Sequence, residues 1–449
     1  MIRKLISRVF RLPSGKRGAP QPKVIPLTQH GVRRDVFNVS ALKVTSRLQE
    51  AGFEAFIVGG AVRDALLGLT PKDFDIATNA TPEQVRHVFR RSRIIGRRFK
   101  IVHVLMGPET LEVTTYRGGA ETITDTEGRI LHDNVFGTQT EDASRRDFTI
   151  NALFYNPTDE TIVDYHRGVR DIQARRLVMI GQPVQRYRED PVRMLRAVRL
   201  AAKLNLSIEE DTRRPIRELS LLLENVPAAR LFDEMLKLLF SGHAYACIKR
   251  LRDEGLHRGV FPLLDAIDED ATSADFLRLA LESTDRRILE NKPVSVGFLL
   301  ATLLWHQVRD RWIARQEQGV PAAAALAEAM QDAESDQDDH LAIPRRYAMT
   351  MREIWSLQVR FLTRSGARPA KLLEQPRFRA AYDFLCLRAA VGEVPQELVD
   401  WWTTFQEAHP DDRGDLLLQE PANGAARKRR RRRKKPAAGG GATEGGTAE

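Results

Sequence analysis

The hydrophobic period of this chain changes once, and that change limits the folds open to it. Before about residue 165 the apolar residues come in short runs broken by turn signals. Glu54-Ala-Phe-Ile-Val58 reads as a strand, Gly59-Gly60 as a turn, and residues 61–67 as a short helix stopped by Gly68. Lys72-Asp-Phe-Asp-Ile-Ala77 reads as a second strand, and residues 101–106 and 111–116 as two more. A helix starts at Asn38 or Ser40. Another starts at Thr81, with Pro82 at its first position and Gln84 closing a capping box. From Asp190 onward the period is helical, with leucine-rich segments at 190–204, 217–224, 230–240, 274–283, 297–316, 321–332, 347–364 and 378–391. The reading is α+β: a small α/β head followed by a long all-α region, with no internal repeat. The polar, Gly-rich stretch 118–140 reads as a mobile loop.

Charge is concentrated at the ends. Residues 1–34 hold nine Lys/Arg and no acid, and residues 427–435 are nine consecutive basic residues, in a chain of net charge +10. The body between them is mildly acidic. A run of like charge cannot build a core, so both ends read as disordered, and the favoured use of such ends is contact with a polyanion. The first 12 residues are amphipathic and basic, which allows a weak peripheral membrane contact. They lack the apolar run and cleavage site of a secretory signal. No apolar stretch is long enough for a transmembrane helix. The two cysteines, Cys247 and Cys386, stand apart without a Cys-x-x-Cys spacing, which argues against a disulfide framework or structural zinc and fits the cytoplasm.

The residues that carry chemistry cluster in the head. Gly59 and Gly60 between a strand and a helix let a triphosphate approach the backbone, with Arg63 adding a charged fork. Asp73 and Asp75, two apart on the expected strand, would project to one face. Side-by-side carboxylates repel unless a cation offsets them, and hard oxygen donors suit Mg²⁺, which also binds triphosphate oxygens. A third acid is expected nearby. Glu112 lies on a strand opposite Leu111 and Val113; Asp147, within Arg145-Arg146-Asp147, is the competing candidate, and the sequence leaves the two open. Arg146 could bind phosphate or orient Asp147.

Beyond the head, Asp190 and Pro191 fit the N-cap and first position of a helix. On it Arg193, Arg196, Arg199 and Lys203 share an arc of about 120°, while Met194, Leu195, Ala197, Val198, Ala201 and Leu204 cover most of the rest. A basic stripe on an otherwise apolar helix fits an anion-binding cleft facing the head.

Four segments, 58–64 (Val-Gly-Gly-Ala-Val-Arg-Asp), 72–75 (Lys-Asp-Phe-Asp), 145–152 (Arg-Arg-Asp-Phe-Thr-Ile-Asn-Ala) and 189–199 (Glu-Asp-Pro-Val-Arg-Met-Leu-Arg-Ala-Val-Arg), resemble the class II branch of the nucleotidyltransferase superfamily. That branch contains bacterial poly(A) polymerases and tRNA CCA-adding enzymes. Residues 95–104, 227–232 and 371–384, with the basic tail, look like the poly(A) polymerase pattern. The resemblance covers roughly residues 30–420. It implies a nucleotidyltransferase head (35–165), a neck with a base-recognition helix (166–240), and a helical body and RNA-binding region (241–418). These would be flanked by basic extensions at 1–34 and 419–449. It implies template-independent transfer of AMP from ATP to RNA 3′ ends, promoting RNA turnover, with CCA addition to tRNA as the alternative and RNA-decay proteins as partners. By the same resemblance Asp73 and Asp75 bind catalytic Mg²⁺ in a two-ion mechanism, and Asp147 belongs to the active site. Gly59, Gly60, Arg63, Arg146, Arg196 and Arg199 contact the nucleotide, and Asp190 with Arg193 selects the base.

Overall fold

The short apolar runs of the first third assemble into one sheet. The computed structural model describes residues 21–96, 100–118, 123–124, 130–132, 136–256, 271–338 and 342–419. The head begins with β1 (Lys23–Ile25), α1 (Leu27–His30), α2 (Val39–Glu50), β2 (Ala55–Val58), α3 (Gly60–Leu66), β3 (Asp75–Thr78) and α4 (Pro82–Val88). It continues with β4 (Ser92–Ile95), β5 (Ile101–Met106), β6 (Glu109–Thr115), β7 (Ile123–Thr124), β8 (Ile130–His132), α5 (Gln139–Arg145), β9 (Leu153–Asn156) and β10 (Thr161–Asp164). Strand order in the main sheet is β1-β10-β9-β2-β3-β6-β5-β4. Every pair is antiparallel except β3 and β6, which run parallel because α4, β4 and β5 intervene in the chain. Both faces of the central strands are buried: Ile57, Ile76 and Val113 join the main core, while Val58, Ala77 and Phe154 form a smaller cluster on the other face.

Three local expectations are corrected. Residues 1–34 were expected to be disordered, yet Lys23–Ile25 pairs with Thr161–Asp164's strand as an edge of the sheet, Ile25 opposite Ile162. Three residues among basic and proline positions give too short a period to read. The strand expected over 72–77 starts at Asp75. Its antiparallel partner β2 ends at Val58, opposite Asp75, where the Gly59 turn takes the chain away. Asp73 therefore lies in the approach to the strand. Asp190 does not cap the helix after it through its side chain; it closes the preceding helix in an extended conformation, and Pro191 stands at the N-cap. The capping box at Thr81 and Gln84 and the Asn38 cap form as expected. Much of 118–140 lies outside the described residues; within it β7 pairs with β8. The N-terminal 12 residues and the basic run 427–435 also lie outside them.

The neck follows: α6 (Gly168–Gln173), β11 (Arg176–Leu177), α7 (Pro183–Glu189), α8 (Val192–Leu204), β12 (Ser207–Ile208), α9 (Glu210–Glu218) and α10 (Ala228–Leu239). The body contains α11 (Ala244–Asp253), α12 (Ala271–Leu289), α13 (Val296–Glu317), α14 (Ala322–Asp338), α15 (Arg345–Phe361), α16 (Arg368–Leu373), α17 (Phe378–Ala390) and α18 (Gln396–Glu407). One core runs from the head through α8 and α10 into α13 and α15. A separate cluster around Phe361, Trp402 and Phe405 closes the C-terminal end. Among the described residues no helix is long and apolar enough to cross a membrane.

Candidate active site

The main sheet, the 145–152 segment and α8 meet at a cleft of about 1360 Å³. All the predicted site residues except Glu112 line it: Gly59, Gly60, Arg63, Asp73, Asp75, Arg146, Asp147, Asp190, Arg193, Arg196 and Arg199. The carboxylates thus stand in the same cavity as the glycine turn and the arginine-striped helix.

The turn is built by Gly59, whose φ of 69° and ψ of −124° suit glycine. Its N–H donates to Leu153 O at 3.2 Å, tying it to β9. A Cβ at Gly59 would stand 3.4 Å from Arg146 Nη1, so the missing side chain lets that guanidinium approach the turn. Arg63 differs from the expectation of a free phosphate fork. It is buried, its Nη1 donates to Asn151 Oδ1 at 2.7 Å, and its Nε and Nη2 meet Asp64 Oδ1 at 2.8 and 2.7 Å. It forms part of the cleft wall with its donors already directed to protein acceptors.

Asp75 stands at the head of β3, in register with Glu112 on parallel β6. The two side chains share a sheet face. Burial pushes the Asp75 carboxyl above the usual carboxylate range, and Glu112 and Asp73 add to the rise, while Arg146 opposes it. Excess negative charge on the wall of the cleft is what a divalent cation relieves. Glu112 remains half-exposed and lies 3.4 Å from His103 Nε2. Among the described residues no three His, Cys, Asp or Glu side chains gather closely enough to hold a metal by themselves. The donor set fits Mg²⁺, which binds through one or two carboxylates and completes its shell with water and substrate phosphates.

Asp147 is fully engaged. Its Oδ1 accepts from Phe148 N at 2.8 Å and Asn151 Nδ2 at 3.0 Å; its Oδ2 accepts from Arg196 Nε at 2.8 Å and Nη2 at 2.5 Å. Burial opposes its charge, but Arg196 and these hydrogen bonds outweigh burial and hold its carboxyl below the usual range. Both Asp147 oxygens are thus occupied, one of them by Arg196 across the head–neck boundary, while Glu112 stands in register with Asp75. Arg146 is clamped by Asp142 Oδ2, at 3.2 Å from Nε and 2.9 Å from Nη2, and by Asn151 O at 3.2 Å.

On α8 the arginines are held to different degrees. Arg193 Nη1 donates to Arg186 O and Glu189 Oε2. Asp190 Oδ2 accepts from Arg230 Nη2 at 2.8 Å, while its Oδ1 is buried with no partner among the described residues. Arg199 Nε is likewise buried without one. Burial lowers the pKa of Arg199 and of Lys203, and the neighbouring cations Arg196 and Arg63 respectively work in the same direction. This end of the cleft holds desolvated positive charge suited to an anion.

The sequence reading missed the supports. Arg186 on α7 donates to Arg145 O and Arg146 O at 2.6 and 2.8 Å, pinning the loop that presents Asp147. Asp142 is buried beneath Arg145 and Arg146. Its i,i+3 and i,i+4 spacing to them is the one signal the sequence carries for this support.

Known proteins match along the chain. Residues 55–178 match the family model described as Poly A polymerase head domain. Residues 205–268 match Probable RNA and SrmB- binding site of polymerase A, and residues 318–436 match Polymerase A arginine-rich C-terminus. The chain is similar to Poly(A) polymerase I of Escherichia coli O6:H1, 45% identical over 438 residues, 94% of each chain. It is less similar to the CCA-adding enzyme of Lactobacillus helveticus, 38% identical over 226 residues, 50% of this chain and 56% of that one. The solved CCA-adding enzyme of Bacillus stearothermophilus in complex with CTP shares its fold, with a TM-score of 0.54 and 23% identity over 81% of this chain and 80% of that one. The mixed-sheet head, the helical region after it and the near full-length likeness agree: this chain belongs to the bacterial poly(A) polymerase I family of the nucleotidyltransferase superfamily.

Proposed function

We propose that the cleft binds ATP against the 3′ end of an RNA and transfers AMP to it without a template. The observation that carries this is the meeting, in one cleft, of Asp73 and Asp75, the Gly59–Gly60 turn and the basic face of α8. The RNA 3′ oxygen would bond to the α-phosphorus, the bond from that phosphorus to the bridging oxygen of pyrophosphate would break, and the hydroxyl proton would pass to solvent water as pyrophosphate leaves. Asp73 and Asp75 would hold Mg²⁺, with Glu112 beside them adding negative charge; the ion would supply neutralisation of phosphate charge and activation of the hydroxyl. Arg146 stands beside the turn and opposes the rise of the Asp75 carboxyl. Arg199 and Lys203 would take phosphate charge. Arg196, aimed by Asp147, would read the base together with the free Asp190 oxygen and Arg193. A protein pocket of fixed donors can then select one base without a template strand.

RNA as the acceptor is supported by the match over residues 205–268, whose model names RNA and SrmB, and by the basic run 427–435. That model also supports a protein partner involved with RNA. Cys247, buried, and Cys386 are both free thiols, which supports a cytoplasmic setting. The rival is CCA addition to tRNA. Its relatives match about half of this chain, whereas the poly(A) polymerase relatives match nearly all of it. Purified protein incubated with ATP or CTP, and with generic RNA or a tRNA lacking its end, separates the two. An extended A tail on generic RNA is expected; CTP incorporation confined to tRNA would reject the proposal.

A further inference from the structure

We propose that Asn151 is a positioning residue that couples the triphosphate end of the cleft to its base-selecting end. This rests on the nucleotidyl-transfer reading above. Asn151 is 9% exposed and lines the cleft. Its Oδ1 accepts from Arg63 Nη1 at 2.7 Å, and its Nδ2 donates to Asp147 Oδ1 at 3.0 Å. Its backbone oxygen accepts from Arg146 Nη1 at 3.2 Å. One residue therefore touches three arms of the site. Arg63 lies beneath Gly60, Arg146 stands beside Gly59, and Asp147 holds Arg196 of α8.

The chemistry explains why the position suits an amide. It must accept from a cation and donate to a carboxylate at the same time, and asparagine carries both functions on one short planar group. The network also fixes the amide's orientation, because the reverse would set NH₂ against the guanidinium and oxygen against the carboxylate. The backbone is equally committed. Residues 149–151 form a single 3₁₀ turn held to the neck by Thr149 N donating to Val178 O, and two residues on Leu153 O accepts from Gly59 N. A shift of this turn moves the glycine turn and the Arg196 orienter together. Nucleotide held badly at one end should then lose its grip at the other.

The test uses Asn151→Asp and Asn151→Ala in the full-length protein. In Asn151→Asp the introduced carboxylate still accepts from Arg63 but faces Asp147 Oδ1. The charged groups around it are Arg63, Arg146 and Asp147, with Arg196 behind Asp147. Ionised, it repels Asp147 and loosens Arg196; protonated, its hydroxyl donates to Asp147 as the amide did. The ratio of kcat/KM for ATP to that for CTP should fall about tenfold or more at pH 8, the loss expected for a hydrogen bond to a charged group. Taking the ratio cancels losses common to both nucleotides, and Asn151→Ala, which neither accepts from Arg63 nor donates to Asp147, should lose it as well. Equilibrium binding of ATP and CTP reads the same ratio without turnover. A wild type that binds nucleotide but never transfers it overturns the polymerase reading while leaving the coupling measured. An Asn151→Asp protein that melts like wild type and keeps its ratio at pH 8, or an Asn151→Ala protein that lowers kcat/KM for both nucleotides equally, overturns the coupling.

Discussion

Replacing Asp147 with asparagine should separate orientation of the base-reading arginine from metal binding. The wild-type carboxylate accepts four hydrogen bonds, two of them from Arg196. An amide keeps one acceptor oxygen. Turned toward Phe148 N and Asn151 Nδ2, it sets its NH₂ against the Arg196 guanidinium, so both charge-assisted bonds are lost. Each is worth about 1.5–3 kcal/mol. The Arg196 side chain is 36% exposed, so water recovers part of that. A net loss of about 2–3 kcal/mol follows, or roughly 30- to 150-fold in kcat/KM for ATP. Steady-state incorporation on a labelled RNA primer measures it, and selectivity against CTP should fall in parallel. The same change should lower the melting temperature by a few degrees, with a defined pH dependence. The folded carboxyl titrates below its unfolded value, so its contribution is complete above about pH 4 and disappears as pH falls through the lower folded value. The melting-temperature gap between wild type and variant should be constant from pH 8 to 5 and close below 4. A variant with kcat/KM within about threefold of wild type and no shift in melting would refute the assignment of Asp147 as the Arg196 orienter.

Asp73→Ala and Asp75→Ala should each abolish incorporation while RNA binding, read by gel shift, is retained. Glu112→Gln should move the acid limb of the pH–rate profile down by roughly half a pH unit, the effect of removing a charge about 5 Å away in a water-like dielectric. The direction follows from Asp75: burial and then Glu112 raise its carboxyl, so activity needing it ionised is lost earlier on acidification than in the variant. A fall in kcat beyond about 100-fold at all pH would instead make Glu112 a metal ligand. Gly59→Ala puts a Cβ on a residue with φ of 69°, 3.4 Å from Arg146 Nη1. About 1–3 kcal/mol of strain is expected, read as a lower melting temperature and a kcat/KM for ATP reduced about tenfold or more.

Where the local pattern was long and regular, the sequence was readable. The α8 stripe needs only a 3.6 period, and its arginines line the cleft as expected. The strands around Ile57 and Val113 and the Thr81 capping box were similarly clear. What stayed hidden depended on partners distant in sequence. Asp190 looked like a helix cap, but an arginine 40 residues later takes its carboxylate. Arg63 reads in the sequence as a charged fork; that its Nη1 also reaches Asn151, 88 residues away, shows only in the structure. The β1 edge strand is three residues long and is defined by pairing with β10, not by a pattern of its own. Asp142 and Arg186 act on backbone and side chains of the 145–147 loop, and no spacing rule identifies such a contact across elements.

α8 shows why fold and chemistry are difficult to separate in this molecule. Met194, Leu195, Ala197, Val198 and Ala201 are buried in the core shared by neck and body, while Arg193, Arg196, Arg199 and Lys203 face the cleft. The apolar arc fixes the rotation of the helix, and therefore fixes where four cations stand. None can be moved far without exposing the other face. Arg196 is offset by Asp147, and Arg193 by Glu189. Arg199 has burial and the charges of Arg196 and Arg63 acting against it, and Lys203 has burial and the charges of Arg63 and Arg199, which Glu234 and Asp64 respectively only partly oppose. The helix thus carries unrelieved positive charge at one end of its stripe and a balanced pair at the other. On the proposed reading a polyanion relieves the first and a base is read by the second. Such a division along a single helix would let one ligand be gripped by its phosphates and inspected at its base.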